Sequence, residues 1–145
     1  MADGSRKDPF SQFNFTVEID GVTQGVFSEV SGLTMDTNII EYREGDEVTT
    51  VRKLPGLMKY NNIVLKHGII DTTLYTWRKK VIDGQTQRAT GAIVLLDEAR
   101  KPALRWTFTQ GWPSKLEGPA LNAKTSEAAV ETMEIAHEGL TLEKA

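Results

Sequence analysis

The most constraining stretch of the sequence is Phe13 to Gly21. Here Phe13, Phe15, Val17 and Ile19 alternate with Asn14, Thr16 and Glu18 ahead of an Asp20-Gly21 pair. A period of two places an apolar row on one face of a strand and a polar row on the other. Such a strand is half-buried, and its apolar face needs a core that the rest of the chain must supply. Asp-Gly is a tight-turn pair, so Val22 to Val30 is expected to fold back as the second strand of a hairpin, with Gly32 ending it.

More segments of the same kind follow. Asn38 to Tyr42 and Val48 to Leu54 are rich in β-branched residues and flank the charged run Arg43 to Glu47, which predicts a second, polar hairpin. Pro55-Gly56 predicts a turn, and Ile63, Leu65 and His67 alternate with Asn62, Val64 and Lys66 in a further strand. The period then changes. Ile70, Leu74, Trp77, Val81 and Ile82 share one helical face, which predicts a helix over Thr72–Asp83, packed on the outside of the sheet. Asp71 is placed to accept a backbone N–H at its start, and Gly84 to end it in the left-handed conformation. Ala92 to Leu96 is apolar on both faces and suits a buried strand, and Leu104, Trp106 and Phe108 alternate in the next. Gly111 to Asn122, with Gly111, Pro113, Gly118 and Pro119, reads as a structured loop or bent edge strand. Propensity divides evenly between helix and strand for Glu127 to His137. The expected core is Phe13, Phe15, Val17, Ile19, Leu74, Trp77, Val81, Leu95, Trp106 and Phe108. The fold class is mainly β with one helix: an antiparallel barrel or sandwich flanked by that helix.

A chain of 145 residues holds one such domain, expected over residues 10–145 behind a flexible arm at residues 1–9. The longest apolar run, Ala92 to Leu96, is far short of the roughly 20 residues that cross a bilayer. Met1 to Gln12 has no apolar stretch resembling a signal peptide, which places synthesis in the cytoplasm. A formal charge of −3 argues against a general nucleic-acid binder, and sequence-specific recognition of nucleic acid is not expected. Cys is absent, so disulfides and thiolate metal sites are excluded. The two histidines, His67 and His137, have no metal-ligand spacing; His137-Glu138-Gly139-Leu140-Thr141 lacks the second His of a zinc-peptidase helix. No serine sits in a nucleophile elbow, and no Gly-rich phosphate loop opens a helix. The carboxylate pairs Glu41/Glu44 and Asp46/Glu47 and the basic run Arg78-Lys79-Lys80 read as solvated faces. Trp77 reads as core, while Trp112 reads equally as core or as an interface anchor. The chain is therefore not expected to be an enzyme or to hold a cofactor.

A protein without chemistry acts through its surface, and here the residues become specific. The blocks Phe15 to Gly21, Phe27 to Leu33 and Ile40 to Gly45 resemble the N-terminal half of the contractile phage tail tube family, which includes the inner tube proteins of phage-tail-like contractile injection systems. The resemblance continues through Val51 to Gly56, Leu65 to Gly68, Val94 to Glu98, Trp112 to Pro119, Leu121 to Lys124 and Ala136 to Leu140. The blocks run in order over Phe10 to Leu142.

The resemblance implies a β-barrel flanked by one helix, six-fold rings stacked into a hollow tube inside a contractile sheath, and a strand for the last element. It implies self-assembly together with a sheath protein, a baseplate hub or spike, a tube-terminating cap and luminal cargo, an effector or DNA. It also implies assembly in the bacterial cytoplasm into a tail or tail-like particle that can be released. It brings no catalytic residues. Its hairpin Glu41 to Pro55 is expected to contact an adjacent subunit or the next ring through the charges of Glu44, Asp46, Glu47, Arg52 and Lys53. Two other readings are open: a tube-initiating or spike-adaptor paralogue at the baseplate, and a small barrel that binds an apolar ligand inside.

Overall fold

A computed structural model describes residues 14–25, 27–43, 45–46 and 49–145. The expected arm and the expected core residue Phe13 lie outside these. The elements in chain order are β1 (Phe15–Ile19), β2 (Thr23–Gly25), β3 (Glu29–Ser31), β4 (Met35–Tyr42), β5 (Arg52–Tyr60), β6 (Ile63–Gly68), α1 (Thr73–Ile82), β7 (Ala89–Leu96), β8 (Pro102–Glu117), β9 (Val130–Ala136) and β10 (Gly139–Lys144). Eight strands form one antiparallel sheet in the order β2-β1-β7-β8-β9-β6-β3, with β10 also paired to β8; β4 and β5 form a separate two-stranded sheet.

The long strand β8 makes the large sheet wrap into two halves. Its first part pairs with β7 on one side and β10 on the other, and its last part pairs with β9. Between the two parts Gln110 has a φ of 54°, and Gly111 follows it. Phe108, fully buried, packs its ring against the two glycines that face it. A Cβ on Gly91 would lie 2.3 Å from that ring and one on Gly111 would lie 2.4 Å from it. The corner therefore works because two strands offer bare backbone where one aromatic ring must sit.

The core lies between the halves and the helix: Val17, Ile19, Leu74, Trp77, Ile93, Phe108, Met133, Ile135 and Leu140 are all buried. Phe15 and Trp106 are half-buried and pack against it, and Leu95 is likewise half-buried. The register explains this rim. Phe15 and Leu104 both pair with Leu95 at the open end of the row. Ala92, Val94 and Leu96 form a second small cluster on the other face of β7, as expected of a strand apolar on both faces.

The helix matches its expected range within a residue at each end. Leu74 and Trp77 are buried, Val81 is half-buried, and the Trp77 indole N–H donates to the Gln87 carbonyl at 2.8 Å. Ile70 and Ile82 depart from the expected face and are exposed. Ile70 precedes the first helical turn, so helical spacing does not reach it, and Ile82 sits about 100° around the helix from Val81. Asp71 does accept a backbone N–H, from Thr73 at 3.0 Å, although the N-cap itself is Thr72. Gly84 closes the helix at φ 80°.

Two strand expectations are corrected and two open ones are resolved. Val22 to Val30 is not one strand: β2 ends at Gly25 after pairing with β1, Phe27 turns into the core, and β3 joins β6 in the other half. Pro55-Gly56 is not a turn but lies inside β5. Pro55 pairs with Ile39 beside a register shift at Thr37/Ile39, where a two-stranded ribbon tolerates the missing N–H. Gly56 is needed there because a Cβ would approach the Asn38 carbonyl oxygen to 2.9 Å. Gly111 to Glu117 is strand rather than loop, bent as expected; beyond Gly111 it pairs with β9 alone among the described residues, as an edge strand does, with Pro113 buried opposite Ile135 and a register shift just after it. The stretch from Val130 to Ala136 is strand, as the family resemblance implies and propensity left open.

Candidate subunit interface

The β4–β5 ribbon is the feature that the rest of the fold does not account for. Among the described residues its strands pair only with each other. Met35, Asp36 and Thr37 face Tyr60, Lys59 and Met58; beyond the bulge, Ile39, Ile40, Glu41 and Tyr42 face Pro55, Leu54, Lys53 and Arg52. Cross-strand partners share a face, so Ile39, Pro55, Glu41 and Lys53 lie on one side and Ile40, Leu54, Tyr42 and Arg52 on the other. Both sides are apolar for part of their length.

This overturns the expectation of a polar hairpin. Ile39 is 63% and Leu57 78% exposed, and Met35, Ile40, Tyr42, Val51, Leu54 and Met58 are all exposed large hydrophobics. A two-stranded ribbon has no second layer to cover either face, and an isolated one is marginal in water. So dense an apolar surface on one projecting element marks an interaction site. The sequence signal was the adjacent pair Ile39-Ile40. Two neighbouring β-branched residues make both faces of a strand apolar, whatever the charge of the turn beside them.

Of the five charged residues expected to make contacts, Asp46, Arg52 and Lys53 are described and exposed, while Glu44 and Glu47 lie outside the described residues. The structure separates Arg52 and Lys53 onto opposite faces, opposite Tyr42 and Glu41 respectively. Nearer the base, Lys59 and Asp36 form an exposed ion pair at 3.8 Å. The ribbon thus carries charge at its free end and apolar surface along its length.

Elsewhere the polar groups are structural. His67 and Glu131 face each other across β6 and β9 at 3.2 Å, both largely buried, with the Phe27 ring 4.7 Å from the imidazole and tilted 39° to it. Asn14, buried, accepts from the Arg100 guanidinium at 3.1 Å. On the face of the sheet away from the core, Arg105 donates to Glu18 at 3.1 Å, with Thr16 and Thr107 in the neighbouring register positions. The Asp71 carboxyl is held below the ordinary carboxylate value, chiefly by the Thr73 backbone N–H and then by the Thr73 hydroxyl. Trp112 is half-buried in β8 opposite Ala136 and belongs to the barrel rather than to the ribbon. Among the described residues no group of three His, Asp or Glu stands together to hold a metal ion. No helix there is long and apolar enough to cross a membrane.

The chain is similar to solved tube assemblies over almost its whole length. A chain of the anti-feeding prophage cap, described as the tube-terminating cap, shares 26% identity at a TM-score of 0.88, covering 99% of this chain and 97% of that one. A chain of the PVC sheath/tube terminator of an extracellular contractile injection system, in the extended state, shares 25% identity at a TM-score of 0.85, covering 94% and 98%. A chain of the anti-feeding prophage baseplate shares 21% identity at a TM-score of 0.84, covering 95% and 97%. No curated protein matches the sequence. The family model of the T4-like virus tail tube protein gp19 matches residues 11–141, so the chain belongs to that tail tube family.

Proposed function

We propose that this chain is the repeating structural subunit of the inner tube of a contractile injection system, forming six-fold rings that stack into a hollow tube. Its role is structural, as family membership requires. The observation that carries the reading is the β4–β5 ribbon, whose two apolar faces lie open to water in the single chain and gain free energy when another protein surface covers them. Every subunit of a ring offers the same ribbon and the same receiving surface, so one contact repeats around the ring and from ring to ring. The charges at Glu44, Asp46, Glu47, Arg52 and Lys53 then set register and orientation, while the apolar residues supply the affinity.

The similar chains come from a tube-terminating cap, a sheath/tube terminator and a baseplate. These support a sheath protein, a terminating cap and a baseplate hub or spike as the partners of this chain. Luminal cargo, an effector or DNA, fits the outer face of β1 and β8, where the paired Glu18 and Arg105 flank the apolar outer row of β7 and leave a wetted surface of little net charge. Assembly in the bacterial cytoplasm and release as part of a tail-like particle complete the reading. Electron microscopy of the purified protein tests it. Tubes are expected; single rings that never lengthen would favour the tube-initiating alternative, and dispersed small particles at every concentration would overturn the assembly altogether.

A further inference from the structure

The ribbon joins the barrel through two legs, one after β3 and one before β6, and the second runs beside His137. In the first leg Gly32 has a φ of 86°, and a Cβ there would come within 2.1 Å of the Asn62 carbonyl oxygen, so the legs touch through backbone. Leu33 and Tyr60 at the base pack on the core. Apolar contact of this kind holds the base down without fixing a direction.

Direction requires oriented bonds, and His137 is placed to provide one. Its Nε2 lies 3.0 Å from the Asn61 carbonyl in the second leg, and its Nδ1 lies 3.1 Å from the Gly139 carbonyl of its own turn. Its ring sits 5.5 Å from Tyr60 and 6.0 Å from Phe108, between the ribbon base and the barrel corner. The turn that carries it is itself fastened, to β8 by the Glu138 N–H donating to the Thr109 carbonyl at 3.0 Å and to the start of β7 by the Glu138 ion pair with Arg88 at 2.8 Å. Both neighbours are carbonyl acceptors, so a neutral imidazole bonds one of them: with its proton on Nε2 it donates from a rigid part of the barrel to the backbone of the ribbon's return leg and leaves the Gly139 contact without a hydrogen bond.

We infer that His137 is a positioning residue for assembly: it clamps the return leg of the β4–β5 ribbon at Asn61 and so sets the direction in which the ribbon projects. The consequence for tubes rests on the tube-subunit reading, but the clamp itself does not. Leverage makes it matter. Eight residues separate Leu33 from Glu41, about 26 Å of extended chain, so a swing of about 15° at the base displaces the ribbon by about 7 Å. A displacement of that size takes an apolar face off its target.

The chain has no cysteine, so Glu41→Cys and Ala99→Cys place two spin labels uniquely, one on the ribbon and one on the β7–β8 turn. Double electron–electron resonance on the unassembled protein is expected to give one narrow distance distribution. His137→Phe keeps the ring contacts and removes the donor, and should broaden the distribution at least two-fold. His137→Gln, which keeps an amide donor, should restore much of the narrowness. Circular dichroism checks that each is folded, and His137→Ala replaces the Phe variant with the same expectation if that variant does not fold. A donor-less, folded variant with the parent's distribution overturns the clamp. In unlabelled protein, tubes should become scarce in His137→Phe and recover in His137→Gln. A parent that shows the narrow distribution and the His137 effect but never makes rings or tubes refutes the tube-subunit reading while leaving the clamp standing.

Discussion

Removing apolar surface from the ribbon should weaken assembly without weakening the fold. Ile39→Thr and Leu57→Thr, made together, delete most of the apolar surface at two of the most exposed ribbon positions, and Ile39→Thr keeps the branched Cβ that suits a strand. Full burial of such a side chain is worth about 1.5–3 kcal/mol. Ile39 is still 63% and Leu57 78% open to water in the single chain, so covering them in a subunit contact contributes about 1–2 kcal/mol each. The pair then accounts for about 2–4 kcal/mol per contact. That corresponds to an increase of about 30- to 700-fold in the concentration at which subunits associate. The isolated chain should lose at most about 0.5 kcal/mol, because neither residue touches the core. Sedimentation velocity over a range of concentrations, with negative-stain images of the same samples, gives the shift directly. Rings and tubes at the parent's concentration would show that these faces stay in water in the assembly, and the reasoning from exposed apolar area would fail.

Trp77→Ala should cost about 3–5 kcal/mol, read from a denaturant titration, since it empties a buried site beneath the helix and orphans the Gln87 carbonyl; near-parental stability would show that the helix packs by another face. Gly111→Ala should cost about 1–3 kcal/mol or more by forcing Phe108 from its seat, and a thermal midpoint equal to the parent's would refute that packing. Arg52→Glu with Lys53→Glu should leave circular dichroism unchanged yet shorten or abolish tubes. Each exposed pair is worth only about 0–1 kcal/mol but recurs in every subunit contact, and tubes of normal length and number would remove these charges from assembly. Asp71 has its carboxyl value lowered in the folded chain, so its contribution to the helix start is present above the ordinary value of 3.8 and is lost as the pH falls through the lowered one. Asp71→Asn should therefore lower the midpoint at neutral pH and flatten its acid limb, and an unchanged acid limb would count against the Thr73 hydrogen bond.

The features legible in the chain alone are local ones. Strict alternation at Val17 and Ile19 and at Ile63 and Leu65 shows which side chains face inward, because a strand's period of two leaves no choice once one face is apolar. The change of period at Leu74 and Trp77 located the one helix, and Gly84 its end. The ordered blocks pointed to the family before any geometry was known. The tertiary structure decided what depends on neighbours distant in sequence. Pro55-Gly56 reads as a turn, yet it is strand: the bulge at Thr37/Ile39 and the Asn38 carbonyl on the opposite strand accommodate it, and no local window contains that partner. Gly111 to Pro113 reads equally as loop or bent edge strand, and pairing with β9 decides for strand. Propensity could not choose between helix and strand for Val130 to Ala136, and pairing with β6 and β8 chose. The ribbon shows the same division most clearly: its β-branched residues announced two strands, but only the tertiary structure shows that no second layer covers them. That missing layer turns an ordinary hairpin into an open apolar surface, the one proposed to meet another subunit.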